Sequence, residues 1–189
     1  MSDITEAVGG STGDAGNNKI NALVAVFVAV TATFVAICNV KDGNIVQAMD
    51  QAQAHSLDSW SYYQSKSTKQ ATIESVLELA RLQRTPGADS IIRKYEAQVA
   101  RYEREKAEIK KQAEDYQKQY DDLNLFDDQF DMTEALLTIS IAMFGIASLT
   151  QRKWLLWFAS GMSLLGIVLG LAAFFKVSLH SDLVSKILG

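Results

Sequence analysis

Lys66 and Lys106 are the side chains whose surroundings best suit chemistry of their own. Trp60, Tyr62, Tyr63, Gln64 and Gln70 stand around the first, and Tyr102 stands close to the second. Two ammonium groups among phenols and amides form a candidate site for an anion or an acidic partner. Burying such groups without counter-charge is costly. The favoured reading lets the methylene stems run outward so that the heads meet Glu103, Glu105 or neighbouring acids. A polar layer also fixes register in a coiled coil.

A second charged group, Asp121, Asp122, Asp127, Asp128 and Asp131, brings calcium to mind, but its spacing matches no EF-hand loop. Asp131 with Glu134 fits a capping box at the start of an apolar helix, where carboxylates also oppose the helix dipole favourably. His55 and His180 lie far apart, without cysteines or carboxylates at ligand spacing. Cys38 is the single cysteine, so no intrachain disulfide can form. No phosphate-binding glycine loop, nucleophile elbow or dinucleotide fingerprint occurs. The expectation is a chain with no catalytic residue, no cofactor and no metal.

The elements that would hold these side chains follow from the distribution of charge. Of 40 charged residues, 31 lie between Lys41 and Glu134, and the net charge of -4 leaves no electrostatic footprint for nucleic acid. Three runs carry no charge: Ile20 to Val40, Ala135 to Gln151, and Trp154 to Phe175. A bilayer core needs about 20 apolar helical residues, so each run reads as a transmembrane helix. With no ionisable group inside a span, a proton or ion relay has nothing to run on. The small residues Ala25, Ala29 and Thr33 recur at four-residue steps in the first span, and Gly166 and Gly170 make a GxxxG step in the third. Both patterns favour close helix contact in lipid. Trp154 and Trp157 suit the interfacial belt.

Between the first two spans the only strong breaker is Pro86-Gly87. Beyond it, Ile92, Tyr95, Val99, Tyr102, Lys106, Ile109, Ala113, Tyr116, Tyr120 and Leu123 alternate in steps of three and four, a coiled-coil seam. Folding the chain about Pro86 sets Ala80 opposite Ile92, Ile73 opposite Val99, Gln70 opposite Tyr102 and Lys66 opposite Lys106. It also sets Ser59 opposite Ala113, Ala52 opposite Tyr120 and Met49 opposite Leu123. Each arm would reach roughly 50 Å at 1.5 Å per residue.

The expected fold is an all-α membrane protein, with three transmembrane helices and a long antiparallel coiled-coil helical hairpin inserted between spans 1 and 2. A disordered tail covers residues 1–18, the first span 19–41, and the hairpin 45–123 with its turn at 85–88. Gly43-Asn44 permit a bend before the hairpin. An acidic juxtamembrane linker covers 124–131, spans follow at 132–150 and 154–175, and an amphipathic tail closes the chain over 177–189. The acidic start and the lack of a clean small-x-small site argue against a cleaved signal peptide. The Arg152-Lys153 turn favours the cytoplasm and puts the hairpin on the extracytoplasmic side, although Lys41, Lys118, Lys176 and Lys186 vote the other way.

Four segments carry a family resemblance. They are Asn39-Val40-Lys41-Asp42-Gly43, the run from Trp60 to Ser67, Arg101 to Lys106, and Leu149 to Trp154. Together they resemble a bacterial membrane family described only as a domain of unknown function, over roughly Asn17 to Phe175. The resemblance implies a bacterial, inner-membrane protein and brings no activity or catalytic residue with it.

The functional expectation is a non-enzymatic, membrane-anchored structural or interaction protein, a homo-oligomer whose partners are the bilayer and itself. Its candidate interaction residues are Trp60, Tyr62, Tyr63, Gln64, Lys66, Gln70, Tyr102 and Lys106, with Gly166 and Gly170 as a contact in lipid. The alternatives are a pore-forming or transport-accessory subunit, and a membrane sensor of a ligand or of stress.

Overall fold

Only one residue in this chain is a strict helix breaker, and the helices are accordingly long. The computed structural model describes residues 19–83 and 87–177, and among them runs three helices and no strand. They are α1 (Ser2–Gln83), α2 (Ala88–Thr150) and α3 (Lys153–Phe174). The expected disordered tail over 1–18, Thr85 and Pro86 of the turn, and all but the first residue of the expected amphipathic tail lie outside the described residues. Each helix contains a window long and apolar enough to cross a membrane. Gly87 opens α2 with φ 92°, a left-handed conformation that costs glycine little, and Ser90 N–H donates to its carbonyl at 3.3 Å. Asp89 in the first turn complements the helix dipole.

Two expectations about local structure fail. Gly43-Asn44 make no bend, because α1 runs through them unbroken. Glycine weakens a helix by only about 1 kcal/mol, which neighbouring turns outweigh. Asp131 and Glu134 form no capping box, because α2 continues through residues 124–134 and has no N-terminus there to cap. The acidic segment is itself helical.

The chain divides into two compact units, Gln47–Leu123 and Met1–Val46 with Asn124–Gly189. In the second of these, α2 buries Phe130, Thr133, Leu137, Ser140, Phe144 and Ala147, and α3 buries Leu156, Ala159, Ser163, Gly166, Gly170 and Ala173. Both sets advance in steps of three and four, the spacing of closely packed helices. From α1 come Ile20, Val24, Thr31 and Cys38. Phe27 stacks on Phe144 with centroids 5.5 Å apart, and Thr31 and Ser163 share a buried hydroxyl hydrogen bond of 2.9 Å. Trp154 and Trp157 stay 61% and 75% exposed, as lipid- or interface-facing tryptophans would.

The α2–α3 turn is closed locally. Gln151 takes φ 56° and its N–H donates to Ala147 O at 2.9 Å, a left-handed C-terminal cap. Its side-chain amide and the Ser148 hydroxyl both donate to Asn21 Oδ1, at 2.8 and 2.9 Å, which ties the turn to α1. At the far end of α3, Lys176 is also left-handed, and Gln129 Nε2 donates to Leu169 O at 3.1 Å.

In the unit Gln47–Leu123, every expected seam position on α2 from Ile92 to Leu123 is buried or half-buried. The same holds for Met49, Ala52, Ser56, Ser59, Tyr63, Lys66, Gln70, Ile73, Leu77 and Ala80 on α1. Contacts join the two helices along this length. Ser56 Oγ donates to Ala113 O at 3.2 Å, His55 stacks on Tyr116 at 5.0 Å, and Arg81 meets Glu96 at 2.5 Å. The last pair is exposed on both sides, so it contributes about 0–1 kcal/mol.

Candidate functional site

Lys66 and Lys106 hold the middle of the unit Gln47–Leu123, and neither is left without a partner. Lys66 Nζ lies 2.5 Å from Glu105 Oε2, and the other carboxylate oxygen takes Arg101 Nε at 2.6 Å. Glu105 is thus a bridge between the two helices, with Arg101 four residues before it on the same face of α2. The same Lys66 ammonium sits 5.2 Å from the Tyr62 ring centroid and 5.3 Å from that of Tyr102. Lys106 Nζ lies 5.5 Å from the Tyr63 ring, whose edge meets Trp60 at 5.7 Å. All three cation–ring distances fall within the range of attractive cation–π contact.

For Lys66 this is the outward reading of the layer, in which the ammonium finds an acid on the other helix. The Lys66 head reaches Glu105 along its stem. Hydrogen bonds from Lys66 first and Arg101 second hold the Glu105 carboxyl below its usual range. Lys66 is in turn raised, by Glu105 first and by Tyr62 second.

The other expected residues sort unevenly. Gln70 is buried and its amide donates to Glu74 Oε1 at 2.7 Å, while its own Oε1 has no partner. Gln64 is exposed, and its backbone carbonyl accepts from the Thr68 hydroxyl at 3.1 Å. Tyr62 is 51% exposed, and Leu57 nearby is 61% exposed. Arg101 joins the cluster from an exposed position, four residues before Glu105 on the same helix. Among the described residues, no group of three or more His, Cys, Asp or Glu side chains is arranged to hold a metal ion.

The Lys66 cluster predicts a pH dependence. Glu105 titrates lower in the folded chain than in the unfolded one, so its stabilising effect is complete above the ordinary carboxylate range, pH about 4.3. It is lost as pH falls through the depressed folded value. Lys66→Met removes the first cause of that depression and leaves Arg101 as the second. The variant should show a flatter acid limb in thermal unfolding followed by circular dichroism, with its deficit from the parent full above pH about 4.3 and shrinking as pH falls below it.

Gly166 and Gly170 have a different position from the one expected of a contact between copies. A Cβ on Gly166 would lie 2.7 Å from Leu137 Cδ2, and one on Gly170 would lie 2.8 Å from Phe34 Cε1 and 2.9 Å from Thr133 Cγ2. The GxxxG step is therefore consumed inside the chain, where it admits α2 and α1 to the surface of α3. Ala25, Ala29 and Thr33 remain exposed, with the Thr33 hydroxyl donating to Ala29 O at 2.8 Å.

Carboxyls gather in the same unit as these glycines. Asp42 of α1 approaches Asp127, Asp131 and Glu134 of α2, and its Oδ1 is buried without a partner. Burial first, and the Asp127 charge second, push Asp42 up to about 6. Asp127 is raised as well, by burial and then by Asp131. No curated protein and no solved structure matches this chain. One family model does, over residues 20–176, and the chain accordingly belongs to the family described as Domain of unknown function (DUF4337).

Proposed function

We propose that this chain is a non-enzymatic interaction protein of a bacterial inner membrane, anchored by three spans and assembled with copies of itself. Its working part is an antiparallel coiled-coil hairpin over Gln47–Leu123. The coiled-coil reading is supported by the low exposure of every seam position and by the contacts Ser56–Ala113, Lys66–Glu105 and Arg81–Glu96. One observation carries the assembly reading: Leu57 and Tyr62 are 61% and 51% exposed on a water-facing helix whose own seam is already filled. Apolar surface left over after a seam closes is surface for another chain.

The experiment is chemical cross-linking in intact membranes followed by denaturing electrophoresis. Bands at multiples of the single chain are expected, and single chains alone would remove the assembly reading. Purified protein in liposomes should conduct no ions, and measured flux would favour a pore instead. By the positive-inside rule the hairpin faces the extracytoplasmic side. A cysteine introduced at exposed Lys110 should react with an impermeant maleimide added to whole cells; protection until the cells are opened would reverse the orientation.

A further inference from the structure

The α1 arm of the hairpin has a second long face, opposite its seam with α2. Three exposed leucines mark it, Leu57, Leu79 and Leu82 at 61%, 54% and 76%. Between them lie Ser61, Gln64, Thr68, Thr72 and Ser75, all exposed. The spacing is three or four residues throughout. At 100° per residue these side chains stay within a sector roughly 80° wide. No charged residue stands on this face from Ala54 to Leu82. At 1.5 Å per residue that is about 42 Å of neutral helix surface.

Such a face is unusual for a helix in water, and the other arm shows the contrast. The exposed side of α2 carries Arg101, Glu103, Arg104, Glu108, Lys110 and Lys111. The neutral face is also less polar than its composition suggests. Thr68, Thr72 and Ser75 turn their hydroxyls back to the carbonyls of Gln64, Thr68 and Ala71, at 3.1, 2.9 and 2.9 Å. Thr68 and Thr72 spend their donors inside their own helix, and what they offer outward is largely methyl surface.

We propose that this face is the contact through which two copies of the chain dimerise, α1 against α1, parallel and in register. The proposal rests on the self-assembly reading and supplies its surface and geometry. Two copies anchored in one bilayer carry their α1 arms in the same direction, so a twofold contact between the arms is a parallel one. In-register pairing sets each residue opposite its own copy. Any charge would then meet an identical charge, and like charges directly opposite are destabilising. From Ala54 to Leu82, beyond Asp50 one heptad before Leu57, this face satisfies the condition, and the charged face of α2 does not. A partner of another kind would be selected by complementary charge, for which this face has no groups. Leu57 pairs with Leu57, and Leu79 and Leu82 with their copies, around a middle of close-packing hydroxyl residues.

The test uses the full chain in its membrane, with Cys38→Ala as background and single cysteines at Ser61, Thr68 and Ser75. Oxidation should give a disulfide-linked dimer from each of the three, and none from a cysteine at Lys110. Cross-linking at Thr68 alone among the three would show antiparallel arms and overturn the proposal. Absence of cross-linking at all three, in a protein that native mass measurement finds oligomeric, would overturn this surface and leave self-assembly standing. A single-chain mass would remove both. Independently, Thr68→Glu changes an exposed residue and leaves the hairpin helical by circular dichroism. It should abolish the dimer, and a dimer that persists in that variant contradicts the proposal.

Discussion

Replacing Gly170 by leucine is expected to unfold the three-span unit at a markedly lower temperature, whereas the same change at Gly161 should not. Both positions lie in α3, and both changes add helix propensity of up to about 1 kcal/mol. They differ in what stands around them. At Gly170 even a Cβ would come within 2.8 Å of the Phe34 ring and 2.9 Å of the Thr133 methyl, and Thr133 is fully buried. Neither neighbour is the loose end of a flexible chain. At Gly161 nothing lies within 4 Å. Overpacking of this kind costs about 1–3 kcal/mol, which exceeds the gain in propensity. In a chain of this size each kcal/mol moves Tm by about 2–4 °C. Gly166→Ala should fall between the two, because the atom it meets first is the terminal Cδ2 of Leu137. Thermal unfolding in one detergent would rank the three variants. A Gly170 variant as stable as the Gly161 variant would mean that α3 does not press on α1 and α2 as described.

The second large effect concerns Asp42. Its carboxyl is raised to about 6 by burial and then by Asp127, with Asp131 and Glu134 adding to the same sign. In the unfolded chain an aspartate titrates at about 3.9. The folded protein therefore holds this proton over a pH range in which the unfolded chain has released it. Stability from this group is greatest below pH about 4 and is lost as pH rises toward 6. Above that, the folded chain carries a partly buried anion beside other anions. Asp42→Asn removes the charge, and its amide can donate to the Asp127 carboxylate. The variant should melt several degrees higher than the parent at pH 7.5 and at the same temperature near pH 4. Equal melting temperatures at both pH values would show that Asp42 is fully solvated.

The sequence made the gross plan legible because charge and apolar residues are so unevenly distributed in it. Three charge-free runs announce the three helix windows apolar enough to cross a membrane, and the expected seam positions from Ile92 to Leu123 stand out because charges fill the positions between them. The same contrast is missing inside the spans. Thr133, Leu137, Ser140, Phe144 and Ala147 repeat with the same spacing as the seam, but mostly apolar residues surround them, so no pattern separates the packed side from the rest. For that reason Gly166 and Gly170 were legible as a contact and not as an internal one. Helix continuity was misread for a different reason. Gly43-Asn44 and the acidic segment 124–131 look like interruptions locally, yet neither contains a residue that forbids a helix. At the candidate site, the spacing brought out Lys66, Tyr62 and Tyr102. It did not give Glu105 its bridging position, because a helix surface offers several acids within reach and only the packed geometry selects one.

Self-assembly in the membrane is the claim on which the functional account depends. Native mass spectrometry of the full chain, released from its own membrane in a mild detergent, tests it most directly. The account predicts a complex of two chains or a multiple of two, which Thr68→Glu reduces to single chains. A parent protein that flies only as a single chain, over the concentrations at which it occurs in the membrane, would contradict it.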